Sequence, residues 1–242
     1  MPSKRHAIGA SLMVALCLGL STAGHAEDTA ASPTAAAAIA AATTPEQAVR
    51  TLQQQWAVAN YQRQGKERVK ALEALAEQAR EAAKRFPDRA GVLTWEAICL
   101  ATYAGSLQGL SQLRAIGLAK EARDRLLEAE VLDPSGFGGS IPTSLGSLYF
   151  QVPGWPLGFG DDEKAEQYLK KALAIDPNGI DANYFYGLFL MKKKSYPEAK
   201  AALEKALAAP PRPDRALADE GRRKEIKAAL ADLAQKTGAS AN

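Results

Sequence analysis

Histidine and cysteine are nearly missing from this chain of 242 residues, which holds two of each. His6, His25 and Cys17 all fall within the first 26 residues. Beyond that point there is no imidazole to act as a base or to bind a metal. Cys99 alone cannot close an internal disulfide. It lies in the apolar run from Ala97 to Ala101, which reads as a buried, inert thiol. Aromatic residues make up only 7%. No apolar run reaches the roughly 20 residues that a spanning helix needs. Period-two runs of β-branched residues are missing too, so no strand is predicted. A formal charge of +3 gives no reason to invoke nucleic acid. These absences predict no catalytic residue, no metal site and no cofactor.

The first residues read as an export signal. Lys4, Arg5 and His6 form a positive start, Ala7 to Leu20 is apolar, and Gly24 and Ala26 supply small residues for cleavage after Ala26. The mature chain is then expected in the periplasm. Lipid attachment at Cys17 is disfavoured, because Leu16 stands where an acylation motif wants a small residue. Residues 27–44 are alanine-rich and read as a flexible leader. A helical domain is predicted over 45–236, followed by a disordered tail over 237–242.

Alanine, leucine, glutamate and lysine dominate the remainder, which favours helix. Structure is predicted to begin at Thr44, with Pro45 in the first helical position and Gln47 completing a capping box. Helices are predicted near 45–63, 66–86, 89–104, 109–132, 140–151, 161–175, 180–193, 197–208 and 215–236. Pro87, Pro134 and Pro177 each follow an apolar helical run and stop it. Asp161, Asp162 and Glu163 open a helix, where acids satisfy free N–H groups. Ser195 and Glu198 read as another capping box, with Pro197 in the first turn. Lys192, Lys193 and Lys194 close a helix, where cations suit the negative dipole end, and an acidic peptide is the alternative use for them.

A repeat organises these helices. Ala165, Leu169, Ala172 and Pro177 recur 34 residues later as Ala199, Leu203, Ala206 and Pro211. Ala122, Leu126, Ala129 and Pro134 carry the same pattern one unit earlier, and Ala79, Ala82 and Pro87 a degenerate one. Gly187 precedes Ala199 by 12 residues, while Gly146 precedes Ala165 by 19, so seven residues enlarge the loop from Gln151 to Gly160. With this period the chain resembles the tetratricopeptide-repeat family. That implies an all-α, short right-handed α-solenoid of about four hairpins, closed by a capping helix at 215–236. The run from Leu145 to Asp162, with Pro153, Gly154, Trp155, Pro156 and Phe159, is similar to the T component associated with tripartite (TRAP) transporters. So is the stretch from Asn183 to Gly187. That resemblance implies a periplasmic accessory that associates with a substrate-binding protein, passes a small ligand and forms oligomers.

Candidate binding residues follow from the repeat. Projected onto the chain, the inward positions of the first helices hold Tyr184, Leu188 and Met191, then Thr143, Ser147 and Phe150, then Glu96, Leu100 and Tyr103. The Lys/Asn/Arg clamp for a peptide terminus is missing there. The predicted concave groove is apolar and suits a hydrophobic segment or an apolar small ligand. The glycine-rich loop adds Trp155 and Phe159, which either fold over the groove to touch ligand or plug the loop onto neighbouring helices. Gly136, Gly138 and Gly139 follow no strand and precede no Gly-Lys-Ser/Thr, so they do not make a phosphate loop. The candidate set is therefore Tyr103, Phe150, Trp155, Phe159, Tyr184, Leu188 and Met191. The expected role is an exported scaffold that holds another periplasmic protein, such as a transporter's substrate-binding protein, in that groove.

Overall fold

The computed structural model describes residue 37 and residues 39–238. The export signal, its cleavage point, Cys17 and residues 239–242 of the tail lie outside the described residues. Among the described residues there are nine helices and no strand: α1 (Pro45–Tyr61), α2 (Gly65–Arg85), α3 (Ala90–Ser106), α4 (Gln112–Leu132), α5 (Ser140–Gln151), α6 (Asp162–Ile175), α7 (Ile180–Lys192), α8 (Tyr196–Leu207) and α9 (Ala216–Thr237). Short 3-10 turns, Gly109–Ser111 and Pro213–Arg215, lead into α4 and α9. No described helix is long and apolar enough to cross a membrane.

Local chemistry accounts for several helix ends. Thr44 and Gln47 form the expected capping box on α1, with Pro45 in the first turn. Asp161 caps α6 by accepting from the Glu163 and Lys164 N–H groups. Ser195 precedes α8 but its side chain makes no capping bond, contrary to the box expected there. Its backbone, at φ −81° and ψ 69°, is not in the extended conformation of a capping residue. Its N–H instead bonds back to Leu190 O, so the tight turn with Lys194 at positive φ sets the entry to α8.

The helices pair in chain order, α1 with α2, α3 with α4, α5 with α6 and α7 with α8. Repeat positions lie in these seams: Ala122, Leu126, Ala129, Ala165, Leu169, Ala172, Ala199, Leu203 and Ala206 are all fully buried. Two glycines make close pairing possible. A Cβ on Gly187 would lie 2.7 Å from the Leu203 side chain, and one on Gly146 would lie 2.6 Å from that of Leu169. Equivalent contacts are thus made across both a short turn and the enlarged 152–161 loop. The seven-residue insertion is absorbed outside the seam.

First helices also touch in succession, α1 to α3, α3 to α5 and α5 to α7. Trp56 on α1 donates to Thr102 Oγ1 on α3 at 2.8 Å and meets Trp95 edge to face. α9 packs on α8 and α7 and also meets α1, so the last helix returns to the first. The fold starts upstream of α1 as well. Ile39 and Ala42 are buried, and the Arg85 guanidinium donates to the carbonyls of Ile39, Ala40 and Ala42. The end of the alanine-rich leader is therefore docked, because a cation at the C-terminal end of α2 collects its free carbonyls.

Candidate binding surfaces

The inner face expected to receive a partner is covered around Tyr184. Its ring lies beneath Arg222 of α9, with 4.5 Å between guanidinium carbon and ring centre, and Phe185 lies under the same group at 4.9 Å. Arg222 is 8% exposed and donates from Nε to Asp181 at 2.7 Å, with a further bond to Glu225. Arg212 bonds to both Asp181 and Asp219. Burial alone would raise the Asp181 carboxyl, but Arg222 and Arg212 outweigh it and hold the group at about 2. Burial carries the Tyr184 phenol the other way, up to about 12, against the pull of Arg222. Tyr61 of α1 completes the closure. Its hydroxyl donates to Glu225, and its ring lies flat against Gly221, where a Cβ would come within 2.4 Å.

The seven residues singled out from the sequence do not form one surface. Tyr103 is 2% exposed and turns toward the second helices, donating to Glu73 at 2.8 Å beneath Arg114. Phe150 is buried against Phe189, and its carbonyl accepts from Lys192 at 2.8 Å. Leu188 and Met191 are half-buried. Phe159 plugs the loop inward, edge to face with Tyr149 and under Arg123 at 4.5 Å. Trp155 does the opposite: it is 90% exposed, next to Leu157 at 67%.

The 152–161 loop that carries Trp155 is tightly built. The Leu157 and Gly158 N–H groups bond to Gly154 O, Gly160 N–H to Pro153 O, and Asp161 N–H to Tyr149 O. A Cβ on Gly158 would sit 2.4 Å from Pro153 O, and one on Gly160 1.9 Å from Val152 O, so side chains are excluded at both positions. The Trp155–Pro156 bond is cis. Phe159 and Asp161 pin the loop's base while Trp155 and Leu157 stand away from it. Lys192 and Lys193 flank the base through Asp162, at 2.6 and 3.4 Å. Lys192 and Lys193 therefore do more than finish α7, since Lys192 ties α7 to the end of α5.

A second cleft, of about 190 Å³, lies among α2, α3 and α4 and includes Arg80, Glu96, Glu121 and Arg125. Arg80 forks onto both oxygens of Glu121 at 2.7 Å. Glu96 is 1% exposed, and its Oε2 lies 3.2 Å from Arg125 Nε without hydrogen-bond geometry. Burial pushes its carboxyl up to about 7 despite Arg125. No group of three or more His, Cys, Asp or Glu side chains among the described residues could hold a metal ion.

Residues 157–219 match the family model of the tetratricopeptide repeat. That interval takes in α6, the α7–α8 hairpin and the start of α9. The fold is a tetratricopeptide-type α-solenoid. A thermophilic TPR protein of Thermus thermophilus shares it, at 19% identity and a TM-score of 0.51, over 77% of this chain and 91% of that one. The MamA protein aligns over 78% of this chain and 91% of its own at 20% identity, with a TM-score of 0.40. Comparison with curated proteins finds no match. Sequence reasoning did not single out Arg222 or Asp181 as a covering pair. The one available signal was the charged run from Arg222 to Glu225 ahead of apolar Ile226, Leu230 and Leu233, and it does not tell which arginine turns inward.

Proposed function

We propose that this protein is an exported, periplasmic helical-repeat scaffold that binds a partner protein and catalyses nothing. Solenoids of this type offer extended surfaces for such contacts. The inner face around Tyr184 is already covered by α9, so the partner is held instead at the 152–161 loop. The observation that carries this reading is Trp155. A large aromatic at 90% exposure on a tightly hydrogen-bonded loop is costly in solvent and well suited to filling a partner's pocket. Rigidity of the loop lowers the entropy cost of that contact.

The test places a photo-crosslinking residue at Trp155, at Met191 in the half-buried groove, and at exposed Gln167 as control, in cells of the source organism. A discrete crosslinked partner at Trp155 alone is the expected result. Crosslinks at Met191 without any at Trp155 would return the site to the groove. Trp155→Ala should raise the Kd for that partner by about 30-fold, the scale of an aromatic anchor, while leaving the melting temperature in place.

A second reading, an accessory of the TRAP T-component kind, draws support from the same loop, since its residues carry that resemblance. A substrate-binding protein as the crosslinked partner would favour it, and an unrelated partner would remove it.

A further inference from the structure

Where α9 returns to α1, the Pro213–Arg215 turn brings three arginines together, and one of them differs from its neighbours. Arg212 and Arg222 are each bonded to two carboxylates. Arg215 joins no ion pair, and its side chain donates no hydrogen bond among the described residues; its Nε is buried without an acceptor. Its guanidinium carbon lies 4.9 Å from the ring centre of Trp95, whose own indole N–H is also buried without an acceptor. Burial and repulsion from Arg212 pull the Arg215 pKa down, with Asp181 and Asp219 opposing. A buried Nε–H without an acceptor is costly, while the rest of this half-buried side chain is not fully withdrawn from solvent.

Arg215 lines a cleft of about 160 Å³ in the α1–α9 seam. Ala57 and Val58 of α1 and Ala216 and Leu217 of α9 supply apolar lining, with the amides of Gln53 and Gln54 beside them. Asp214 also lines it, exposed to solvent, and is not among the largest influences on Arg215.

We propose that this cleft binds a small carboxylate with an apolar tail, the carboxylate on Arg215 and the tail between α1 and α9. A guanidinium fork matches a carboxylate in shape and charge. One unpaired arginine suits a single negative charge. The apolar lining selects for a hydrocarbon body rather than a second acid. This site is separate from the Trp155 loop and does not depend on the partner assigned there.

Hexanoate titrated into the protein by calorimetry tests the proposal, with hexanol as a neutral ligand of the same tail. Hexanoate should saturate one site and hexanol should not. Arg215→Gln should weaken hexanoate about tenfold or more, the scale of a lost charge-assisted hydrogen bond, with unchanged circular dichroism. Val58→Glu should weaken it too, by placing a like charge beside the tail. Failure of hexanoate to saturate, equal binding of hexanol, or unchanged binding in Arg215→Gln would each overturn the proposal. The hexanol comparison needs no variant, so it decides the question even if a substitution disturbs the seam.

Discussion

Glu96→Gln should stabilise the protein at alkaline pH and leave it unchanged in mild acid. Glu96 comes from α3 and is 1% exposed. Arg125, Glu121 and Glu128 of α4 and Arg80 of α2 act on it, two cations against two acids, so burial decides the sign. Its carboxyl titrates at about 7 in the fold against 4.5 when free. The folded chain therefore holds a proton that the unfolded chain has released across that interval. Stability from this group is fully present below about 4.5 and is lost as pH rises toward 7. The difference corresponds to about 3 kcal/mol at pH 8. Glutamine keeps the shape and cannot ionise, so it should escape that loss. The assay is urea unfolding of both proteins at several pH values from 4.5 to 8, reading the difference in ΔG. Subtraction cancels the other carboxylates, such as Asp181, whose contribution is lost only in stronger acid. A difference that stays constant across this range, or that favours the natural residue at pH 8, would refute the reasoning.

The remaining predictions concern packing. Leu203→Ala removes a fully buried side chain that fills the space left by Gly187 and should cost about 2–5 kcal/mol in urea unfolding. Arg222→Ala removes one partner each from Asp181, which keeps Arg212, and Glu225, which keeps Tyr61, and uncovers Tyr184; a loss of about 2–3 kcal/mol is expected in thermal or chemical melts. Gly160→Ala forces a Cβ against Val152 O and should cost about 1–3 kcal/mol, with new protease cleavage inside 152–161. Cys99 is buried and burial pushes its thiol pKa up, so a thiol reagent should react with it only after denaturation.

Much of this architecture could be read before any coordinates. The nine predicted helices match the observed ones closely, because caps, prolines and apolar spacing act over three or four residues. Ala165, Leu169 and Ala172 recurring as Ala199, Leu203 and Ala206 identified the buried seams, since a pairing helix needs small residues at fixed intervals. The seven-residue excess after Gly146 correctly placed an enlarged loop. Individual side chains in that loop were less legible. Trp155 and Phe159 have similar chemistry and lie four residues apart, yet one stands in solvent and the other beneath Arg123. Their directions depend on which backbone groups of Pro153 and Gly154 accept bonds, and composition does not encode that.

Local signals in the chain determined the elements, their order, their pairing and the helical class. Tertiary structure alone decided that α9 returns to α1, that Arg222 covers Tyr184, that Arg85 gathers the carbonyls at Ile39 to Ala42, and that Arg215 is left without an acid. The physical reason is the range of the forces involved. Capping and seam packing are set by neighbours along the chain and by the next helix. Closure is set by small rotations accumulated over four hairpins, and no short spacing records their sum.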